Sequence, residues 1–419
     1  MEAILGKLFI SHLEGTSQIP LSYATRSLTI IFMILLALVA ISSKWKSQIE
    51  KETKLHDNPF FTIETTTTLR GIAILILIFG HLSFRCVEGI LPFEYAGSWA
   101  VTVFLYLSGI GLAKTYGLQK MDRKFWIKRL RRLAFPVWLT FLLFYVLDFL
   151  LLRKNYDPSS IVLNFLGIIS ESPPNQSAWY IMYILVLYGA FCTVSCLGSN
   201  TAVKSVGLFL ISAILATCST QSWLKPYLGM WKQYSLVFPT AVLIGLHAQK
   251  INGYLKSLYS VSRPIYLGSL LVMLILYYRQ SGVFVLSQFL SAGACRETMG
   301  ILNPLYLLGS LTMASYLLDN LRFRSGLLLL LGNYSFEIFL LHLPFMESYD
   351  FFLFRKPLWV FFFLYVGLLV FMSYELRLLS DRMKSLVFRT RQDSGTYLRL
   401  SATTRGLLAK PDETRTIKG

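Results

Sequence analysis

Charge is scarce in this chain, and acidic charge is the scarcest. Asp, Glu, Lys and Arg make up 15% of the residues, and 22 acidic residues stand against 40 basic ones. Hydrophobic residues account for 54% of the sequence, and the mean hydropathy is +0.55. Soluble domains have a far lower apolar content. The composition therefore excludes an aqueous globular fold and indicates a membrane protein.

Three further features are missing from the sequence. The apolar–polar alternation that marks membrane β-barrels is absent. No internal repeat is visible, which weakens the interpretation as an inverted-repeat transporter. Residues 1–27 are interrupted by polar residues, and no small-residue cleavage pattern follows them, so we do not expect a cleaved signal peptide.

Apolar stretches of about 15 to 21 residues recur along the chain, close to the length that a helix needs to cross a bilayer. They predict an all-α fold, a polytopic transmembrane helical bundle of about 10–11 spans. The expected spans are 27–43, 67–85, 99–115, 134–152, 178–198, 203–219, 235–249, 264–280, 299–318, 326–346 and 357–378. The span at 235–249 is the weakest, and 161–169 is expected to be a short re-entrant or interfacial piece.

The formal charge of +18 is unevenly distributed. Most basic residues fall in one set of loops, at 44–54, 114–132, 250–263 and 322–324, and in the tail from Arg377. The positive-inside rule makes these segments cytoplasmic and places the N-terminus outside. The charge therefore reports topology, and the expected partner is anionic membrane lipid rather than nucleic acid.

The five cysteines indicate packing rather than chemistry. Cys192 and Cys196 lie four residues apart on one face of an apolar span, and no further ligand lies nearby to complete a metal site. No metal site is predicted.

The stretch Leu69–His81 holds the most informative pair of residues in the chain. Arg70 opens an apolar helix, and His81 follows it eleven residues later. At 1.5 Å per residue the two lie roughly 16 Å apart along the helix axis. Arg70 is then at the cytoplasmic end and His81 deep in the hydrocarbon, toward the outer side. An ionisable residue at that depth is costly and marks a functional site, and histidine exchanges a proton near neutral pH.

A second candidate site is the basic run Lys114–Arg132, where a cytoplasmic loop leads into a helix. Its arginines Arg129, Arg131 and Arg132 are either a positive-inside stop signal or a clamp for phosphate, which arginine forks bind bidentately. Coenzyme A carries several phosphates. An arginine cluster beside a membrane-buried histidine therefore suggests an acyl-CoA as a substrate.

Five blocks, in order, resemble the membrane acyltransferase-3 family. They are Leu69–His81 with its Arg and His, the glycine-led Gly97–Gly109, the aromatic and arginine-rich Phe125–Trp138, the Trp-led Ala178–Tyr183 and the late Leu331–Pro344. One block alone is a weak signal, but five in the family's order across 67–345 are strong. The resemblance divides the chain into an N-terminal segment with one extra span (1–66), an acyltransferase-3-like membrane domain (67–380) and a basic tail (381–419).

The resemblance implies an integral membrane O-acyltransferase. Such enzymes move an acyl group, often acetyl, from cytoplasmic acyl-CoA to a hydroxyl of a cell-surface or lipid-linked glycan, and no permanently bound cofactor is expected. Arg70 and His81 match the family's essential pair, and Arg129, Arg131 and Arg132 match its basic motif. The chain departs from many members at Met182–Ile184, where an acidic residue is usual, so no carboxylate role is carried over. The resemblance favours a bacterial inner (plasma) membrane location.

The expected role of His81 is to act as general base on the acceptor hydroxyl or to carry the acyl group transiently. Arg70 holds a CoA phosphate, orients His81 through intervening groups or neutralises developing charge. Direct contact between Arg70 and His81 is not expected, because of their axial separation.

Further candidates compete with structural explanations. His342, in the late block, is either functional or makes an interfacial hydrogen bond. Glu337 is costly inside a span unless it pairs with a histidine or an arginine. Trp179 and Tyr180 fit an interfacial aromatic belt or a sugar-stacking surface, and Ser108 fits helix packing better than a nucleophile. Asp148 lies near a helix end, where we expect its side chain to reach water.

Two rival classes stay open at this stage. A secondary transporter or polysaccharide exporter also needs many spans and buried Arg and His groups, but it should show half-helices and paired repeats. A noncatalytic membrane scaffold does not explain an Arg–His pair on one span together with four further matching blocks.

Overall fold

The computed structural model describes residues 21–44, 60–86, 96–121, 123–168, 173–197, 200–218, 228–279, 292–350 and 353–388. Residues 1–20 of the predicted N-terminal segment and residues 389–419 of the predicted tail lie outside this range. The described chain is almost entirely helical, and the predicted all-α fold is confirmed. One two-residue antiparallel pairing joins β1 (Ser43–Lys44) to β2 (Arg324–Ser325).

The described helices are numbered α1 to α15 in chain order. Helix α4 continues through a π-helical turn at Asp148–Leu152, and a short 3-10 turn at Gln176–Ala178 precedes α6. The helices are α1 (Leu21–Ile41), α2 (Ile63–Cys86), α3 (Ala96–Tyr116), α4 (Arg123–Leu147), α5 (Pro158–Phe165), α6 (Trp179–Ser195), α7 (Thr201–Cys218), α8 (Leu228–Tyr234), α9 (Val237–Leu246), α10 (Ala248–Val261), α11 (Arg263–Arg279), α12 (Ala292–Asn320), α13 (Gly326–Asn333), α14 (Ser335–Glu347) and α15 (Leu358–Phe388).

Several of these helices are long and apolar enough to cross a membrane. Within the described residues, the segments that pass this test on their own are Tyr23–Ile41, Ile63–Ser83, Lys124–Leu152, Gln176–Ser195 and Leu358–Val387. Helices α13 and α14 pass it only as a pair, bent by 77°. The protein is therefore a multi-pass helical membrane protein.

Two predicted spans take a different form in the structure. The stretch 326–346 is not one straight span but the bent pair α13 and α14, which meet at Tyr334. Gly332 and Asn333 just before the bend are poor helix formers, and such residues are common at helix ends. The stretch 235–249 contains the 10-residue helix α9, too short to cross a bilayer alone.

Helix α2 packs closely against its neighbours because glycines lie where the helices cross. A Cβ at Gly71 would lie 2.1 Å from the carbonyl oxygen of Leu328 on α13, and one at Gly332 would lie 1.9 Å from that of Thr67 on α2. Helices α3 and α9 cross in the same way at Gly109 and Gly245. Small residues let helix backbones approach within van der Waals distance in membranes.

The first turn of α2 is anchored by Asp319, near the end of α12. Its carboxylate accepts hydrogen bonds from the backbone N–H of Phe61 (2.8 Å) and from the hydroxyls of Thr62 and Thr65 (2.7 Å each). The hydroxyl oxygen of Thr62 in turn accepts a hydrogen bond from the backbone N–H of Thr65 (3.1 Å), one of the donors that a helix start leaves unpaired. We call this end of the bundle, where α2 and α4 begin and α3 ends, the basic end.

The opposite end, where α2 and α14 finish and α3 begins, is called the distal end. Arg85 and Glu347 form an ion pair there between the last turns of α2 and α14. Asp148 is buried at 2% exposure and accepts hydrogen bonds from the hydroxyls of Tyr349 (2.6 Å) and Tyr156. The expectation that Asp148 reaches water is wrong, because these two tyrosines from later segments replace the water.

Candidate active site

A cavity of about 540 Å³ opens among α2, α3, α4, α6 and α14. This volume falls in the range of small-molecule binding sites, roughly 300–1,000 Å³. We call it the basic cavity, because four cationic side chains line it: Arg70, Lys114, Arg129 and Arg132.

The four cations come from three helices, and no carboxylate is among the residues that line the cavity in the described part of the chain. The Nε of Arg70 donates to the carbonyl oxygen of Thr66 at 3.3 Å, one turn earlier on α2. The guanidinium of Arg129 lies over the rings of Phe125 and Tyr188, at 5.7 and 5.4 Å from the centroids. Cations held this way, without acidic neighbours in the cavity, are chemically suited to bind a multiply charged anion such as a phosphate group.

Only two of the three arginines predicted for the basic cluster line this cavity. Arg129 and Arg132 are three residues apart and share one face of α4. Arg131 lies about 100° around the helix from Arg132 and about 160° from Arg129, and it is not among the lining residues. Lys114, at the end of α3, takes the place that Arg131 was expected to fill. The sequence contained a signal for Lys114, which begins the basic run Lys114–Arg132.

Three aromatic side chains line the cavity on the side nearest His342, and we call them the aromatic partition: Phe104, Tyr180 and Phe339. The ring centroid of Phe339 lies 5.2 Å from that of Tyr180 and 6.1 Å from that of Phe104. Ser108 also lines the cavity. The serine therefore contributes a polar group to the cavity, while the adjacent Gly109 packs against α9.

Directly behind the partition lie His342 and His81. The ring of His342 is 5.6 Å from that of Phe339 and 5.3 Å from that of His81, measured between centroids. The structure therefore brings together two histidines from helices that are distant in the sequence. We call them the histidine pair.

The hydrogen bonding of His342 defines its tautomer. Its Nδ1 lies 2.7 Å from the carbonyl oxygen of Phe339, which can only accept, so Nδ1 carries a proton. In the neutral ring Nε2 then holds a lone pair. His342 is 1% exposed, and its Nε2 has no hydrogen-bond partner among the described residues. A buried, unpaired acceptor beside a second histidine is well placed to take a proton.

Arg70 and His81 occupy separate parts of this site. Arg70 lines the basic cavity, while His81 lies behind the partition in the histidine pair. This arrangement matches the axial separation expected from their spacing. It leaves Arg70 among the four cations of the basic cavity rather than beside the histidine pair.

The remaining predicted residues lie around this centre. Glu337 is buried and binds Arg377 through both carboxylate oxygens, at 2.9 and 2.6 Å, which accounts for a carboxylate inside α14. Tyr180 belongs to the partition, but Trp179 does not line the cavity and stacks on Tyr234 at 6.1 Å. Phe339 was missed by the sequence analysis, although it lies three residues before His342. Among the described residues, no cluster of three or more His, Cys, Asp or Glu could hold a metal ion.

The fold and this centre define a multi-pass membrane protein with a cavity lined by four cations and a histidine pair packed against its aromatic partition. A family model described as an acyltransferase domain, that of the acyltransferase-3 family, matches residues 67–374. The chain therefore belongs to the acyltransferase-3 family and is a membrane acyltransferase. No curated protein and no solved structure matches it.

Proposed function

We propose that the protein transfers a short acyl group, acetyl in the simplest case, from acyl-CoA to a hydroxyl of a cell-surface or lipid-linked glycan. One observation carries the proposal: the basic cavity is lined by four cations and by the aromatic partition, and the histidine pair packs against that partition from outside the cavity. That order of groups suits a donor with phosphates at one end and a thioester at the other.

The phosphates of CoA lie on Arg70, Lys114, Arg129 and Arg132, and the pantetheine arm extends along the cavity toward the partition. The acceptor oxygen attacks the thioester carbonyl, so a C–O bond forms and the C–S bond breaks. His81 takes the hydroxyl proton as general base, and the thiolate leaves as CoA after gaining a proton. In the covalent variant His81 attacks the thioester carbonyl, the C–S bond breaks and CoA leaves, and the acceptor hydroxyl then cleaves the resulting acyl-imidazole to give the ester and free His81.

His342 supports either version of this chemistry. Its Nδ1–H is held by Phe339, so its Nε2 lone pair is available to accept a proton beside His81. The basic end is then cytoplasmic, in accord with the positive-inside rule, and the distal end faces the opposite side of a bacterial inner membrane.

Replacing Arg132 by Gln tests the donor site. A lost charge-assisted hydrogen bond costs about 1.5–3 kcal/mol, so KM for acetyl-CoA should rise roughly 10- to 100-fold. KM for acetyl-pantetheine, which has no phosphates, should stay unchanged. Steady-state CoA or pantetheine release by the purified protein in nanodiscs, with a membrane glycan extract as acceptor, measures both values.

Lys128→Gln is the matched control, because Lys128 is an exposed cation of the same helix that does not line the cavity. An equal rise in KM for both donors would show that Arg132 does not bind phosphate. If the folded wild-type protein neither binds nor consumes any acyl-CoA, the donor assignment fails, and a transporter becomes the better account of the buried histidines.

A further inference from the structure

His81 is reachable from a side other than the basic cavity. It does not line that cavity, yet its side chain is partly exposed, whereas Leu82 and Ser83 next to it are buried. A histidine within an apolar span is costly to leave facing lipid. The exposed part of His81 therefore indicates a second opening.

Gly97, in the first turn of α3, lies at this opening. An ideal Cβ at Gly97 would be 3.6 Å from Nε2 and 3.9 Å from Cε1 of His81. The Nε2 edge of the ring therefore faces the start of α3, and a side chain at position 97 would contact it. Gly97 and Ser98 are partly exposed, whereas Trp99 and Ala100 behind them are buried.

The border of the opening is polar. The Oγ of Ser98 accepts a hydrogen bond from Nε2 of Gln233 on α8, at 2.7 Å. A hydroxyl and a carboxamide side chain provide both donors and acceptors of the kind that hydroxyl-bearing ligands use. We call Gly97, Ser98 and Gln233 the distal rim.

We propose that the distal rim is the entrance for the acceptor, and that its glycine exposes Nε2 of His81 to the acceptor hydroxyl. This inference rests on the proposed function. The donor then reaches the histidine pair through the basic cavity and the acceptor through the distal rim, so that only the acyl group passes the partition. The hydroxyl proton moves to Nε2 of His81 as its oxygen bonds to the acyl carbon and the C–S bond breaks.

Cysteine labelling tests the opening without any need for activity. The starting variant has its five cysteines replaced by Ala. Ser98→Cys and Ser108→Cys are introduced into it separately, and each protein is treated with a membrane-impermeant maleimide. Sealed inside-out and right-side-out vesicles supply the two faces. We expect the two cysteines to react from opposite faces, because Ser98 lies at the distal rim and Ser108 in the basic cavity. Labelling of both from one face, or of position 98 from neither, overturns the proposal.

Substitutions at Gly97 test the role in transfer, in the otherwise natural protein. The Cβ of Gly97→Ala would make ordinary van der Waals contact with His81, so the fold should hold. Covering Nε2 should lower transfer to a membrane glycan extract by about tenfold in Gly97→Ala and by about 100-fold or more in Gly97→Val, in line with the cost of misplaced reacting groups. Equilibrium binding of CoA should stay within about twofold of the wild type, because the basic cavity is untouched.

Gly189→Ala is the matched control, since Gly189 lies in α6 and a Cβ there would meet nothing within 4 Å. Full transfer by Gly97→Val, or parallel loss of CoA binding and transfer, overturns the proposal. If wild-type protein consumes no acyl-CoA, the proposed function is wrong whatever the Gly97 variants do. The labelling experiment then still decides whether the second opening exists.

Discussion

Replacing His342 by Asn should lower acyl transfer by about 10²- to 10⁴-fold, the range for a side chain that takes part in proton transfer. The carboxamide of Asn can still donate to the carbonyl oxygen of Phe339, as Nδ1 of His342 does now at 2.7 Å. The substitution therefore keeps the local hydrogen bond and removes the Cε1–Nε2 edge of the ring. His81→Ala should cause a loss of at least the same size. The rate of transfer is measured as radiolabel that passes from acetyl-CoA to a membrane glycan extract.

The control for this experiment is His247→Asn, because His247 is exposed between α9 and α10, outside the cavity. It should leave the rate within about twofold of the wild type, as surface substitutions do. A fully active His342→Asn protein would show that Nε2 of His342 takes no part in the chemistry. Label retained on the wild-type protein without acceptor, and absent in His81→Ala, would favour the covalent variant over direct transfer.

Replacing Gly332 by Ala should destabilise the protein by about 3 kcal/mol or more, at or beyond the upper end for overpacked positions. The new Cβ would lie 1.9 Å from the carbonyl oxygen of Thr67. A backbone atom cannot rotate away as a flexible side chain can, so α13 and α2 would have to separate. Thermal unfolding in detergent, followed by size-exclusion chromatography, measures the loss of folded protein.

Gly326→Ala, at the start of the same helix, is the control for this substitution. A Cβ at Gly326 would meet nothing within 4 Å, and its unfolding temperature should match the wild type or exceed it. Equal stability of Gly332→Ala and Gly326→Ala would mean that the backbones of α2 and α13 do not approach each other closely enough at Gly332 to exclude a Cβ.

The two predictions are linked, because the glycine crossing helps to position the histidines. His81 lies on α2, and His342 lies on α14, which follows α13 after the bend at Tyr334. Contacts at Gly71 and Gly332 join α2 to α13 at one end, and the ion pair between Arg85 and Glu347 joins α2 to α14 at the other. The two histidine rings meet between these contacts.

The sequence alone determined the class of protein and the position of several groups along their helices. Apolar stretches of membrane-spanning length predicted the helical bundle, since a bilayer forces its backbone groups to bond within a helix. The spacing of Arg70 and His81 placed one at the basic end and the other deep in the span, because the rise per residue of a helix is constant. The ordered blocks from Leu69 to Pro344 indicated the acyltransferase-3 family, and the match to the family model confirmed it.

Only the tertiary structure decided which of these groups meet. The periodicity of one helix does not determine its rotation about its own axis relative to a neighbouring helix. That rotation depends on contacts between the two helices, such as the contact of Gly332 with Thr67. For this reason the sequence could not separate Arg131 from the two arginines that line the cavity, or place Phe339 between that cavity and the histidines. It also could not bring His342 to His81, because their approach follows from the close crossing of α2 with α13 and the bend that turns α14 along α2.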